Sequence, residues 1–202
     1  MTDWRAAPVL TGPTLTLSPL ALSDATDLLT ALGEPGAAGE VLEHMRMAVP
    51  TDLDGARAQI VDALENPDRI AYGQRIRSTG ELVGTTSFYE ITPATRALAI
   101  GYTWIGRRHW RTRVNTESKL VMLGRAFDGL GAERVVWHTD IRNLRSQAAI
   151  ERLGATREGV LRHHRIRLDG SWRDTVQYSM LAQEWPAVRA RLVAALDRRE
   201  RP

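Results

Sequence analysis

Between Trp104 and Leu120 the chain reads WIGRRHWRTRVNTESKL, with arginine at 107, 108, 111 and 113 crowded into the link between an apolar run and an amphipathic one. The chemistry such a cluster can do is anion binding. A helix beginning just beyond it, capped by Asn115 or Thr116, adds free backbone N–H groups and the positive end of its dipole. Arg111 and Arg113 then add charge-assisted hydrogen bonds. A second candidate is TDIRNLRSQAAIERLGA at 139–155, where Asn143 is placed to cap a short helix and Ser146 lies in its first turn. Both lie where a strand gives way to a helix, the end at which open α/β sheets bind ligands. Taken alone, the first is also what a solvated arginine-rich loop looks like, and the second a plain helix cap.

Charge favours an anionic partner. The 202 residues carry a formal +3, but residues 1–100 hold 7 Arg against 13 Asp/Glu, whereas 101–202 hold 20 Lys/Arg against 11. That polarity points to a phosphorylated small molecule or a nucleic acid meeting the second half. For nucleic acid, Trp104 and Trp110 beside the arginines offer stacking surfaces, though no nucleic-acid-binding motif accompanies them. With no cysteine, thiol catalysis, disulfides and cysteine-ligated zinc are excluded. The five histidines lack metal-ligand spacing, so no metal is expected. No apolar run is long enough to span a bilayer and no secretory leader is evident, so a cytoplasmic location without a membrane partner is expected.

The elements that must hold these residues can be read from periodicity. Leu15-Thr16-Leu17 alternates as a strand; Ser23 or Asp24, then Thr51 or Asp52, cap helices, with a break over 33–39. Residues 69–77 and 81–89 read as a hairpin, and Ala97 to Ile105 as a strand apolar enough for the centre of a sheet. Leu120, Leu123, Phe127 and Leu130 recur at helical spacing, ended by Gly129 or Gly131. Strands follow at 133–139, 157–167 and 173–181, with a helix from Asn143 to Leu153 and a C-terminal helix over 186–199. One α/β (α+β) domain over 1–202 is predicted, core about 14–185, with a mixed antiparallel and parallel sheet and helices on both faces.

The combination N-x-x-S at 143–146 with AIERLGA at 149–155, NTESKL at 115–120, and REGVLRHHRIRLDGSWRDTVQYSML at 157–181 resembles the GNAT superfamily of acyl-CoA-dependent N-acyltransferases. It is most similar to the RimJ/RimL branch, which acetylates protein N-termini and other amines. The resemblance implies a strand over 101–105 that splays from its neighbour and binds the pantetheine arm of acetyl-CoA through its backbone. It implies that the loop at 110–115 wraps the pyrophosphate. There Trp110, Arg113 and Asn115 stand where relatives carry Gln/Arg, Gly and Gly/Ala. Glycine would permit positive φ and close approach; arginine substitutes charge.

Residue by residue, the resemblance implies that Arg111, Thr112, Arg113, Val114, Asn115 and Thr116 hold the pyrophosphate, that Asn143 contacts the cofactor, and that Ser146 hydrogen-bonds or protonates the departing thiolate, with Tyr102 or Tyr178 as fallback acids. Backbone N–H at Trp104 or Ile105 would polarise the thioester carbonyl. Glu90, ending a strand beside the splay, is the expected base for a primary amine acceptor, a small molecule or a protein N-terminus. His138 reads as structural. A degenerate, non-catalytic scaffold of the same fold and a nucleic-acid module are the alternatives, and an exposed sheet edge is compatible with a homodimer.

Overall fold

Alternation at Leu15, Thr16 and Leu17 puts the two leucines on one face, and in the computed structural model, which describes residues 3–198, both are buried. They belong to β2 (Leu15–Pro19), part of an eight-stranded sheet. The other strands are β1 (Leu10–Thr11), β3 (Arg69–Ile76), β4 (Leu82–Thr92), β5 (Ala97–Ile105), β6 (Arg134–Asp140), β7 (Thr156–Ile166) and β8 (Trp172–Leu181). Their spatial order is β1-β2-β3-β4-β5-β6-β8-β7, and β5 with β6 is the parallel pair. The helices are α1 (Ala25–Leu32), α2 (Pro35–Leu42), α3 (Leu53–Glu65), α4 (Val114–Gly124), α5 (Leu144–Leu153) and α6 (Trp185–Arg198). The predicted mixed sheet with helices on both faces is what forms. Leu28, Leu32, Val41 and Ile60 of α1–α3 build one core cluster, and Met122, Leu123, Ile150 and Leu192 of α4–α6 join the other. Each such side chain contributes roughly 1.5–3 kcal/mol by leaving water.

Two local expectations need correcting. The break predicted over 33–39 is confined to Gly33 and Glu34. Gly33 ends α1 at φ 78°, and Pro35, its φ already helical, starts α2, whose Ala38, Val41 and Leu42 are buried. Asn115 and Thr116 do not cap α4 either. Arg113 holds the N-cap position without its side chain capping the helix, so both lie inside the first turn. The helix then runs through one π turn, Arg125–Gly129, to Gly131 at φ 67°. Asp52 does cap α3, accepting the Gly55 N–H at 2.8 Å.

Helix α4 buries two charges of opposite sign. Glu117 is fully buried and accepts hydrogen bonds from Thr14 N (2.7 Å), Thr14 Oγ1 (2.6 Å) and Leu15 N (2.8 Å). Arg113 Nε, 3.1 Å away and one turn earlier, supplies the countercharge. This carboxylate pins the first β-hairpin to the helix. Lys119, also buried, donates to Thr103 Oγ1 (2.8 Å) and Thr86 Oγ1 (3.2 Å), and those hydroxyls are themselves 2.8 Å apart. Among the described residues it has no carboxylate partner, and burial pushes its ammonium down to about 7.

Opposite mutational effects follow. Glu117→Ala leaves buried donors and Arg113 without their acceptor and should lower unfolding free energy by about 3–5 kcal/mol in a denaturant titration. Lys119→Met should instead stabilise. The native lysine loses its proton near 7 and the unfolded one near 10.5, so the burial penalty is complete below pH 7 and fades as pH rises to 10.5. Wild-type stability should therefore climb across that window relative to Lys119→Met, by roughly 1.4 kcal/mol per pH unit at most. Parallel curves would refute a buried lysine of this kind.

Candidate active site

The parallel pairing of β5 with β6 covers only Ala97–Arg134, Leu98–Val135 and Ala99–Val136. Beyond Ala99 the strands part. On its other side β5 stays bonded to β4, through a bulge that sets Tyr102 and Thr103 against Thr86, with Tyr102 at φ 49°. The N–H of Gly106 reaches Val83 O (2.9 Å), so strand alternation turns the N–H and C=O of Ile105 away from β4, toward the gap. Its carbonyl there accepts the Trp110 indole N–H at 2.7 Å. Trp104 has the opposite phase: its main chain faces β4, its carbonyl lies 3.4 Å from Gln74 Nε2, and its ring is buried.

The parted strands open a cleft of about 1460 Å³, larger than the roughly 300–1,000 Å³ of ordinary small-molecule sites. Glu90, Trp104, Ile105, Arg111, Thr112, Asn115, Thr116, Asn143 and Ser146 line it; Arg113 and Val114 do not. Val114 is a core residue, and Arg113 turns its Nε to Glu117. The positive φ expected of a phosphate loop falls on Arg111 (62°), while Arg113 is helical at −71°. Arg107 pairs with Glu40 (3.1 Å) and Arg108 with Glu81 (2.6 Å), so these two brace the loop. Arg111 alone of the four arginines reaches the cleft.

At the cleft's α4 end, the N–H groups of Asn115 and Thr116 meet no backbone acceptor among the described residues, since the first N–H returned to the loop is that of Glu117 on Arg113 O. Arg145 lies 3.9 Å over the Trp110 ring, adding a second guanidinium. That stacking covers one face of the Trp110 ring, and Trp104 is buried. Arg145 falls between Asn143 and Ser146, and no motif marks it in the sequence. Asn143 Oδ1 accepts the Ser146 N–H at 2.9 Å, capping α5 as its position predicts.

The other end of the cleft carries titratable groups. Glu90, at φ 49° and 44% exposed, lies 3.7 Å from His138 Nδ1 and 3.8 Å from Arg165. Tyr89 Oη is 3.0 Å from the same Nδ1. His138 was expected to be structural, yet it lines the cleft with Tyr89, Tyr102 and His164. Tyr102 packs edge-on against Tyr89 and under the Arg69 guanidinium. Tyr178, a fallback acid, is excluded: fully buried, it donates to Glu151 at 2.8 Å and does not reach the cleft.

Comparison with known proteins agrees with this geometry. The profile of the acetyltransferase (GNAT) domain matches residues 14–156. The chain is 27% identical over 170 residues to "Probable N-acetyltransferase YjcK" of Bacillus subtilis (strain 168), covering 82% of this chain and 93% of that protein. It superposes on a GCN5-related N-acetyltransferase from Brucella melitensis with a TM-score of 0.91 at 25% identity, covering 96% and 87% of the two chains. Mycobacterium smegmatis RimJ, solved in complex with CoA-disulfide, shares the fold at a TM-score of 0.79 and 20% identity, covering 96% and 97%. A sheet that parts between β5 and β6, the helix start at its mouth and a family profile spanning most of both put the chain in the GNAT acetyltransferase family.

Proposed function

We propose that this chain transfers an acetyl group from acetyl-CoA to a primary amine, and that it does so within the RimJ/RimL-like branch. One observation carries the reading. The unpaired edge of β5 at Ile105 and the unbonded N–H groups of Asn115 and Thr116 line one cleft, with Arg111 at the same end. Unsatisfied donors along a strand and a helix start fit a ligand that is amide-like along its arm and anionic at its tail.

The residues divide the work accordingly. Asn115, Thr116, Thr112 and Arg111 hold the pyrophosphate, and Arg113 serves indirectly by fixing the first turn of α4 through Glu117. The Ile105 N–H, rather than that of Trp104, is oriented to bond the bound arm and polarise the thioester carbonyl. Asn143 orders the start of α5 and presents Ser146, whose hydroxyl protonates the departing sulfur. The amine enters at the opposite end, and its proton is drawn off in the corner that holds Glu90. Attack on the thioester is direct, with no acyl-enzyme. A protein N-terminus and a small-molecule amine both suit that open, mixed-charge end.

Thiol release from acetyl-CoA, measured over a peptide with a free α-amine, a polyamine and an aminoglycoside, tests the reading. Turnover with at least one amine is expected. Acetyl-CoA binding without turnover on any of them would favour a non-catalytic scaffold, and steep salt-dependent binding to DNA or RNA without acetyl-CoA binding would favour a nucleic-acid module.

Two substitutions resolve the parts. Arg111→Glu should raise the acetyl-CoA KM about tenfold or more at low salt with little change in kcat, the signature of lost uniform binding. Ser146→Ala should lower kcat while leaving that KM within about twofold. An unchanged KM in Arg111→Glu would remove this arginine from the anion site.

A further inference from the structure

His138 sits two residues beyond Val136, the last β6 residue paired with β5, so it stands at the apex of the cleft. Its surroundings fix which ring nitrogen carries the proton. Glu158 is held down to about 2 by the Arg134 guanidinium, 2.6 Å away, and remains a carboxylate at any working pH. It can only accept, and it accepts Gln177 Nε2–H at 2.7 Å. That orients the Gln177 amide with its Oε1 toward His138 Nε2, 3.1 Å away. An amide oxygen can only accept, so Nε2 bears the hydrogen and Nδ1 presents a lone pair. Tyr89 Oη–H, 3.0 Å from that lone pair, donates to it.

Tyr89 reaches this position by passing beneath Gly101. A Cβ on residue 101 would meet Tyr89 Cε1 at 2.7 Å, so the missing side chain makes room for the ring to cross under β5. Its hydroxyl thus connects the cleft apex to the imidazole. Burial, reinforced by Glu90, pushes the Tyr89 phenol well above its ordinary value, so it does not ionise by itself.

Resting on the acetyl-transfer reading above, we infer that Tyr89 and His138 form the proton relay for the amine, with Glu90 as the countercharge to the imidazolium rather than the first proton acceptor. An amine arriving as ammonium passes one N–H proton to Tyr89 Oη while the tyrosine's own proton moves to His138 Nδ1. The neutral amine and an imidazolium result, and no phenolate forms. The nitrogen lone pair then bonds to the carbonyl carbon, the C–S bond breaks with its electrons on sulfur, and the remaining excess N–H proton passes by way of Ser146 to that sulfur. The imidazolium, 3.7 Å from the Glu90 carboxylate, returns its proton to solvent past that half-exposed side chain. The groups facing His138 are Tyr89 and Glu90 on β4, Tyr102 on β5, His164 and Arg165 on β7, and Arg173 and Gln177 on β8.

Two measurements test this. Long-range ¹⁵N–¹H spectra of the ¹⁵N-labelled protein, with His138→Gln for assignment and recorded where the imidazole is neutral, should show His138 as the Nε2–H tautomer, and Gln177→Leu should relax that preference. An Nδ1–H tautomer would overturn the relay whether or not an acceptor is found. With the fastest amine of the panel, kcat/KM should fall on an acidic limb as the relay's acceptor site is filled by a proton. His164→Gln should keep that limb; His138→Gln should lose it. His138→Gln and Tyr89→Phe should each lower kcat by about 10²-fold or more, and the double variant no further, as for groups acting as one unit. All three should bind acetyl-CoA like the wild type. Turnover in His138→Gln with the limb intact sinks the relay alone, whereas failure of the wild type with every amine sinks the transferase reading with it.

Discussion

The parting of β5 from β6 is the constraint from which the rest of the site follows. A strand interior to a sheet ordinarily satisfies its backbone on both sides, and an N–H or C=O left without a partner is costly when buried. Here β5 bonds β4 along its length but meets β6 for only three residues. The bulge at Tyr102 and Thr103 re-aims the strand just past the point of separation, and Ile105 then faces the gap. The protein satisfies part of that edge itself, with the Trp110 indole on the Ile105 carbonyl. What remains on that edge at Ile105 is an N–H that a ligand can complete.

The arginine-rich loop is best understood from that gap outward. Its four arginines do three different jobs. Arg107 and Arg108 tie the loop to acidic residues of α2 and of the β3–β4 turn, Arg113 neutralises a buried glutamate, and Arg111 faces the cleft. Charge excess in the second half of the chain thus overstates how much charge is aimed at a ligand. Arg111 also bears the left-handed backbone geometry that glycine adopts with less strain, so the chain accepts a conformational penalty at the one arginine that lines the site.

Much of the frame was legible in sequence because it rests on local signals. The apolar run Ala97 to Ile105 coincides with β5, Asn143 caps α5, and Asp52 caps α3. The errors also have local causes. Gly33, Gly36 and Gly39 masked a short helix whose stability comes from burying Ala38, Val41 and Leu42, and the capping preference of Asn115 and Thr116 hid a start at Val114. The relay from Tyr89 through His138 and Gln177 to Glu158 could not be read. Its members are drawn from four strands, and neither their spacing nor their types mark them as partners until the sheet brings them together. Glu117, Lys119 and Arg145 were invisible for the same reason, each taking its meaning from a contact that is distant in sequence or peculiar to one rotamer.

The cleft therefore combines a backbone edge, a helix start and a side-chain relay, and the backbone edge is the most direct thing to measure. Amide hydrogen exchange followed residue by residue, with and without saturating acetyl-CoA, reads it without depending on the acceptor. New protection is expected at Ile105, Asn115 and Thr116, with the paired amides of β5 up to Ala99 unchanged. Saturation that leaves those three amides exchanging as in the free protein would contradict this expectation.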